Sequence, residues 1–438
     1  MTGSVTQDPV PAVGAPAGLP RLLPTRITTF SEHAARFGPL PDLRKRAARA
    51  QLLDTVDFSG LRGRGGAGFP TGRKLRAVAD GGRGAVVVAN GAEGEPASRK
   101  DAVLLTAAPH LVIDGAVVAA RAVRANDIYL VVDRGDTAAR GAIAAALAER
   151  DGLERDTPTI RVVELPGRYV AGEESAVVNF INGGPAKPTF VPPRPFERGV
   201  RGRPTLVQNV ETLANLALIT RFGADWYRSI GTPNEPGSIL ATLGGAVNAP
   251  GVYEFALGTT LGRVLEVAGG TTEPISAVLV GGYFGSWIPA ADVADLPLTH
   301  EAFRRAGGAL GCGVVAPFPA QRCGVTETAR IVRYLSEETA GQCGPCVHGL
   351  GAIAAGVDAI AAGRAKTNAQ ADVVRWLGDV ANRGACHLPD AAVGFLRSAL
   401  TVFADEFAIH AQHSRCRATD RSPMLPLPDP ATRSWDWR

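Results

Sequence analysis

The sequence has no long apolar run. No stretch approaches the about 18 uninterrupted apolar residues of a membrane helix, so we expect a chain without a membrane span. The first 20 residues lack the basic start and the apolar core of a secretory signal. We therefore expect a cytoplasmic protein, peripheral to the inner face of a membrane only if a larger complex holds it there.

Strong charge of one sign and abundant cysteine are also missing. The 46 basic and 42 acidic residues leave a net charge of +4, which is too balanced for nucleic acid as the main partner. Only six of the 438 residues are cysteine, and in a cytoplasmic protein these are more often metal ligands or free thiols than disulfides. The apolar share of 45% excludes collagen and extensive disorder.

Short β-branched runs alternate with helical stretches in the first half of the chain. The runs are Ala85–Ala89, Ile128–Val132 and Ile160–Val163, and helices are expected near Leu111–Arg124 and Thr137–Arg150. This alternation predicts a Rossmann-like α/β domain over 29–237, with a parallel or mixed sheet covered on both faces.

The composition then changes twice. Residues 238–298 have short strands, a turn and one helix after Thr260, which predicts a small β-rich module. Residues 299–411 have apolar positions near helical spacing and predict a helical bundle. Residues 1–28 and the proline-rich residues 412–438 are predicted to be a disordered lead-in and tail.

A dense glycine loop, GLRGRGGAGFPTGRKL, starts at Gly60. It contains Gly63-x-Gly65-x-x-Gly68, the spacing of the dinucleotide fingerprint, but it follows a predicted helix instead of a strand. Backbone N–H groups exposed by glycine, next to arginine and Lys74, suit a phosphate. Spacing alone fits phosphate binding and a structural turn equally well.

Two further motifs combine glycine with acids. Asn90-Gly-Ala-Glu-Gly-Glu95 follows the first predicted strand directly, and the carboxyl end of a strand is the usual ligand position in an α/β sheet; a capped turn is the alternative. Tyr169-Val-Ala-Gly-Glu-Glu174 precedes a predicted helix, where the helix dipole alone could account for two acids.

The cysteines suggest a metal site. Cys343 and Cys346 form a CxxC motif, and Cys386 follows 40 residues later. A lone CxxC fits a metal, a redox dithiol or chance, and the third cysteine favours a metal or iron–sulfur site. The scattered Cys312, Cys323 and Cys416 are expected to be buried or idle thiols.

Six motifs in order resemble one family and cover about residues 40 to 410: GLRGRGGAGFPTGRK, NGAEGEPASRKD, YVAGEESA, GRPTLVQNVETLAN, GQCGPC and ACHLPDAA. They resemble the NADH-oxidising flavoprotein subunit of respiratory complex I and its relatives in bacterial hydrogenases and formate dehydrogenases. The module from Ser238 is similar to the β-grasp (SLBB-like) domain of these subunits.

The resemblance implies FMN, NADH as the substrate and a [4Fe–4S] cluster in the helical domain. A flavin accepts two electrons together and releases them singly, whereas a cluster carries one. The implied FMN-contact residues are Gly63, Gly65, Gly66, Lys74, Asn90, Glu93, Tyr169, Gly172, Glu173, Asn209 and Thr212. Phe69, Glu95 and Glu174 match positions that line the nicotinamide nucleotide pocket, and the two glutamates would orient the nicotinamide and tune the flavin.

The cluster motif departs from the family pattern at one position. The usual first cysteine is Ala340 here, which leaves Cys343, Cys346 and Cys386 as the implied ligands. The chain is then expected to hold a cluster with an unusual or open fourth site, a three-iron cluster, or no cluster. His348, His387 and the scattered cysteines are candidates for the fourth ligand.

The nucleotide pocket departs as well. The family's aspartate is Ala92, its two adenine-stacking aromatics are Ala77 and Arg194, and a lysine is Val191. Losing two stacking rings costs on the order of 1–3 kcal/mol, or ten- to hundredfold in affinity. Arg194 could stack on adenine, meet a 2′-phosphate and so favour NADPH, or be a surface residue.

These observations predict an NAD(P)H-oxidising FMN flavoprotein. The sequence carries no recognisable [2Fe–2S] or added ferredoxin domain, so electrons are expected to pass to a ferredoxin, to a thioredoxin-like [2Fe–2S] subunit or into a larger redox complex. Two alternatives remain: an FMN electron-transfer subunit that has lost NADH oxidation, and a non-catalytic scaffold subunit.

Overall fold

The structure, a computed structural model, describes residues 18–24, 29–82, 84–152, 157–413, 416, 418–429 and 436–438. The first half of the chain alternates helices and strands. Its elements are α1 (Phe30–Phe37), α2 (Arg46–Ser59), α3 (Thr71–Asp80), β1 (Val86–Asn90), α4 (Lys100–Ala107), α5 (Pro109–Val123), β2 (Asp127–Asp133), α6 (Thr137–Arg150), β3 (Thr159–Leu165), α7 (Glu174–Ile181), β4 (Thr205–Asn209) and α8 (Val210–Arg228).

The four strands form one sheet in the order β3-β2-β1-β4. Every neighbouring pair is parallel, so the sheet, expected to be parallel or mixed, is wholly parallel. Alternate residues of β1 face opposite sides: Val87 and Ala89 pack in the core with α5 and α8, while Val86 and Val88 pack with α7. Strand β4 was missed because it is only five residues long and follows Pro204 directly.

A second sheet follows, with β5 (Ser238–Leu243), β6 (Gly251–Ala256), α9 (Leu261–Val267), β7 (Ile275–Val280), β8 (Ser286–Pro289), α10 (His300–Arg305) and β9 (Val314–Pro319). Its strand order is β6-β5-β9-β7-β8. The central strand β9 therefore comes from beyond residue 298, inside the segment that we expected to be helical. Its sequence, VVAPFP, contains two prolines, which obscure a strand pattern.

The remaining helices form the predicted bundle: α11 (Gly324–Glu337), α12 (Gly351–Ala361), α13 (Ala369–Val380), α14 (Leu388–Val402) and α15 (Ala404–His413), with a π-helical turn at Pro345–Leu350. Apolar residues of α11 to α14 share one core. The bundle packs against the second sheet through Trp287 of β8, whose ring lies 5.2 Å from that of Phe403.

The terminal segments are more ordered than predicted. Within the expected lead-in, Leu22 is 1% exposed, and within the expected tail Leu425 is 2% exposed. Both expectations of disorder are therefore wrong for the described residues 18–24 and 418–429, because these apolar side chains join the two main cores. The rest of the predicted lead-in, 1–17 and 25–28, lies outside the described residues.

Among the described residues, no single helix combines the length and apolar composition of a membrane span; only α4 and α5, bent at 97° to each other, meet both criteria as a pair.

The contact between α5 and α8 leaves no space for a side chain at Gly115. A Cβ there would lie 1.9 Å from the carbonyl oxygen of Leu213. We expect Gly115→Ala to lower the free energy of unfolding by at least about 1–3 kcal/mol, because the helices must separate. Thermal denaturation of the purified protein measures this loss.

Gly141 of α6 is the matched control, since a Cβ there meets nothing within 4 Å. Gly141→Ala should leave stability unchanged or raise it by about 0.5–1 kcal/mol. Equal melting temperatures for the two variants would contradict the packing argument.

Candidate functional site

The carboxyl ends of the parallel strands carry polar side chains at one edge of the sheet. Asn90 ends β1 and Asn209 ends β4, and the two residues are paired in register. From β1 the chain continues to β2 and β3 on one side, while β4 lies on the other side. Ligands of open α/β sheets bind in the crevice at this kind of switch point.

The glycine loop lies against this crevice. The backbone N–H of Arg64 donates to Thr212 Oγ1 at 2.8 Å, and a Cβ on Gly65 would lie 3.4 Å from Cβ of Asn209. The loop closes on itself because the N–H of Gly63 donates to the carbonyl of Phe69 at 2.8 Å. The structure thus brings the predicted residues Gly63, Gly65, Asn209 and Thr212 together.

At two positions of this loop, neither backbone conformation nor packing within the described protein requires glycine. Gly63 and Gly65 have no positive φ, and the nearest atoms to an added Cβ lie 3.5 and 3.4 Å away. By contrast, a Cβ on Gly94 would lie 2.3 Å from the carbonyl oxygen of Tyr169. A flat or phosphorylated ligand that approaches the loop backbone accounts for the first pair, so the cradle fits FMN.

The second acidic motif reaches the same edge. Asn90 Nδ2 donates to the carbonyl of Gly172 at 2.8 Å. Glu173 caps α7 by accepting from the N–H groups of Ser175 at 2.9 Å and Ala176 at 3.1 Å. The predicted residues Asn90, Gly172 and Glu173 are therefore neighbours, and the cap expected from the helix dipole is present.

Glu93 is held from three sides. Its carboxylate accepts from the hydroxyl of Ser98 and from the N–H of Ala102 at 3.2 Å, and its own N–H donates to Asp133 Oδ2 at 2.9 Å. Burial, with the negative charge of Asp101, raises the pKa of Glu93 to about 7. Burial likewise raises the pKa of Asp133 to about 6.

Glu95 joins the two sheets. Its Oε2 accepts from the hydroxyl of Tyr169 at 2.6 Å and from the N–H of Tyr283, 188 residues away, at 2.7 Å. Burial raises the pKa of Glu95 to about 7, although these hydrogen bonds favour the ionised form. A carboxyl group with a pKa this close to neutrality, at the mouth of a ligand crevice, is suited to chemistry.

The other predicted pocket residues are closer to solvent. Lys74 Nζ lies 2.7 Å from Glu174 Oε2, and the two side chains are 21% and 28% exposed. The ring of Phe69 is 53% exposed. An anionic ligand can therefore reach the Lys74 ammonium from the open side of the crevice.

A buried charge network behind the crevice was missed in the sequence. Lys100 Nζ lies 2.7 Å from Asp101 Oδ1 and 3.0 Å from Glu211 Oε2. Asn209 Nδ2 donates to Asp101 Oδ2 at 2.6 Å. The sequence feature that indicates this network is the Arg-Lys-Asp run at the end of NGAEGEPASRKD. Charges directly before an apolar helix are often buried in pairs.

Three cysteines converge in the helical region, as predicted. Cys343, Cys346 and Cys386 line one pocket together with Ala340 and Pro188. Burial raises the pKa of Cys346 to about 12, and the neighbouring thiols of Cys386 and Cys343 add to the shift. Thiolates in this pocket therefore need a cation, which suits an iron–sulfur cluster.

The candidates for a fourth ligand are not among the residues that line this pocket. His348 and His387 are exposed side chains outside the pocket lining. Cys323 precedes α11, whereas Ala340 follows its other end; 14 residues at 1.5 Å each separate them by about 20 Å. Cys312 Sγ is 3.5 Å from the carbonyl of Gly281, next to Glu95.

Comparison with known proteins agrees with this geometry. Residues 56–218 match the model of the Nuo51 FMN-binding domain, residues 240–281 match the SLBB domain, and residues 326–410 match the NADH-ubiquinone oxidoreductase-F iron-sulfur binding region. The SLBB match confirms the predicted β-grasp-like module.

Relatives match over most of the chain. The NADH-quinone oxidoreductase F subunit of Mycobacterium bovis is 32% identical over 398 residues, covering 85% of this chain and 87% of the relative. The alpha subunit of the NAD-reducing hydrogenase HoxS of Cupriavidus necator is 34% identical over 353 residues, covering 77% of this chain and 57% of the relative.

A crystal structure of an NAD+-reducing [NiFe]-hydrogenase in the H2-reduced state superposes with a TM-score of 0.80 at 31% identity, covering 88% of this chain and 68% of that one. Sequence and fold therefore agree that the chain belongs to the family of FMN-dependent NADH dehydrogenase subunits that includes the NADH-quinone oxidoreductase F subunit.

Proposed function

We propose that this chain oxidises NADH at an FMN bound in the crevice and passes electrons singly, through an iron–sulfur cluster, to a partner protein. The observation that carries the proposal is the position of the glycine loop. It lies across the switch point, with the Arg64 N–H on Thr212 at 2.8 Å and Gly65 against Asn209.

Residues of the crevice would hold FMN by position and charge. The backbone of Gly63, Gly65 and Gly66 is open to close approach, and Lys74 supplies a cation that can exchange Glu174 for a phosphate. FMN, when bound, accepts two electrons with a hydride and releases them one at a time. The chain needs no acid or base for this step, because hydride transfer depends on alignment.

Glu95 is the residue that we assign to the nicotinamide side. Tyr169 and Tyr283 fix its carboxylate through hydrogen bonds of 2.6 and 2.7 Å. A negative charge there favours the positive charge that develops on the nicotinamide as the hydride leaves. Glu174, released from Lys74 when the phosphate binds, would orient the nucleotide from the open side.

The three cysteines would hold a cluster that lacks a fourth protein thiolate. Their thiolates supply the ligands for iron, and the cluster carries one electron at a time. Ala340, 8% exposed, occupies the position where a fourth thiolate would stand. We propose that the cluster therefore loses its fourth iron readily and is isolated with three.

The electron acceptor is a separate protein in this proposal. The two relatives are named as subunits of an NADH-quinone oxidoreductase and of an NAD-reducing hydrogenase, so we propose that this chain works in a cytoplasmic redox assembly, with a ferredoxin or a thioredoxin-like [2Fe–2S] subunit as the acceptor. Arg194 is an exposed side chain, free to meet a 2′-phosphate if the nucleotide reaches it. NADPH is therefore a second substrate to test.

Anaerobic stopped-flow mixing with NADH tests the proposed function. The yellow holoprotein should lose its flavin absorbance, because a hydride reaches FMN. A protein that stays yellow would favour the electron-transfer alternative, and a protein that never binds FMN would favour the scaffold alternative.

Gly65→Val tests whether the flavin binds against the glycine loop. A valine side chain would project onto the loop surface and should weaken FMN binding about ten- to hundredfold, by the cost of overpacking. Gly141→Ala, on a distant helix, should bind FMN normally.

Glu95→Gln tests the assignment of the nicotinamide side. The pKa of Glu95 is about 7, so its charge appears as the pH rises, and kcat/KM for NADH should rise through pH ~7. Glu95→Gln should abolish this rise and lower kcat/KM roughly ten- to hundredfold at about pH 8.

Glu93→Gln is the comparison variant, because the pKa of Glu93 is also about 7 while both of its oxygens are bonded inside the protein. Since Glu93 is also an expected FMN contact, its pH profile is measured on the FMN-loaded protein. This variant should keep the rise. A pH profile that keeps its inflection in Glu95→Gln and loses it in Glu93→Gln would reverse the assignment.

Ala340→Cys tests the missing thiolate. The added thiol should raise the iron content from about three to about four per chain, and it should remove the paramagnetic signal of the oxidised three-iron cluster. Iron analysis and electron paramagnetic resonance measure both effects. Ala340→Ser, of similar size without a thiolate, should behave like the unchanged protein; an unchanged protein without iron after anaerobic reconstitution would refute the cluster.

A further inference from the structure

A second group of metal-ligating side chains lies at the far end of the helical bundle. We call it the Cys–His site, and it consists of Cys323, His410 and Cys416. One ligand atom from each residue lies within 4.8 Å of the other two. Cys323 Sγ is 3.3 Å from His410 Nε2, and these two residues are 3% and 1% exposed.

Three separate segments bring these residues together. Cys323 precedes α11 and caps it, His410 lies on α15, and Cys416 follows α15. The chain beyond Cys416 is fixed to the start of α11, because the N–H of Thr419 donates to the carbonyl of Gln321 at 3.1 Å and Arg322 pairs with Asp420 at 3.0 Å. The site therefore joins the tail to the bundle.

The imidazole is poorly satisfied by the protein alone. In the part of the chain that the structure describes, the hydrogen-bonding partner of His410 Nε2 is the Cys323 thiol, and a thiol is a weak partner. Its buried Nδ1 has no hydrogen-bond partner among the described residues. A buried polar ring in this state is costly unless something else binds it, and a metal ion on the imidazole would offset part of that cost.

We propose that Cys323, His410 and Cys416 bind one Zn2+ ion, which fastens the tail to the helical bundle. Two thiolates and one imidazole are the donor types that zinc prefers. Each cysteine loses its thiol proton to solvent as its sulfur–zinc bond forms, and the metal undergoes no redox change. Sulfur and nitrogen atoms within 4.8 Å of one another suit a single tetrahedral ion.

A carboxylate next to the three ligand atoms is the candidate for the fourth position, although it lies outside the group within 4.8 Å. Glu406 lies four residues before His410, so both side chains are on the same face of α15. Its Oε2 accepts from the N–H of Gly324 at 2.8 Å, directly after Cys323, and the carboxylate is also hydrogen-bonded to the Cys323 side chain.

The Cys–His site is separate from the iron–sulfur pocket. Helix α11 lies between them, and its 14 residues span about 20 Å. A site at this distance, built from the tail, is suited to a structural role. Its occupancy does not depend on the proposed oxidation of NADH.

Metal analysis of the full chain, purified under anaerobic conditions from zinc-supplemented medium, tests the proposal. We expect about one zinc per chain besides the iron, and we expect His410→Ala and Cys416→Ser to reduce the zinc content about tenfold. Replacing zinc with Co2+ should produce the absorption bands of a four-coordinate cobalt thiolate, and both variants should lose them.

Two matched variants separate this site from the cluster. Cys312→Ser, which removes a thiol elsewhere, should keep the zinc, and Cys343→Ser should lose iron while keeping zinc. A zinc content that stays the same in His410→Ala and Cys416→Ser would overturn the proposal as an adventitious ion only. A Cys323–Cys416 disulfide that takes up no added zinc after reduction would overturn it as well.

Discussion

The carboxylate of Glu211 holds the site together. It is fully buried and lies 3.0 Å from Lys100 Nζ and 3.7 Å from Arg64 Nε, and it accepts from the N–H of Leu240 at 2.9 Å. One anion thereby joins α8, the helix after β1, the glycine loop and the first strand of the second sheet. Because a buried charge without its partner is costly, these four elements are held in one arrangement, and the crevice forms between them.

Hydrogen bonds also connect the second sheet to the crevice. Tyr283 follows β7, and its N–H binds Glu95 while its hydroxyl donates to the carbonyl of Pro426 in the tail. Tyr283 therefore connects the tail directly to the carboxyl group of Glu95. The β-grasp-like module therefore contributes hydrogen bonds to the residues around the crevice.

Local patterns in the sequence were sufficient for three of the four parallel strands and for the cysteine pocket. Regular β-branched runs fix β1 to β3, and the CxxC spacing brings Cys343 and Cys346 to one turn. Long-range contacts were not predictable. The partner of Glu95, Tyr283, lies 188 residues away. The two prolines of β9 hide its strand pattern. The proline-rich tail has no periodicity, so the sequence does not indicate that the N–H of Leu425 donates to Glu327.

The segment after Glu173 links the crevice to the cysteine pocket. Glu173 caps α7 beside Asn90, and its charge also acts on Cys386; Lys187, further along the same segment, donates to the carbonyl of Ala340 at 2.8 Å. One short stretch of chain thus contacts both the crevice and the cysteine pocket. Ala340, which stands where the fourth cysteine is expected, is held in that pocket through the bond from Lys187. If the crevice holds FMN and the pocket holds a cluster, as proposed, this stretch fixes the separation of the two centres.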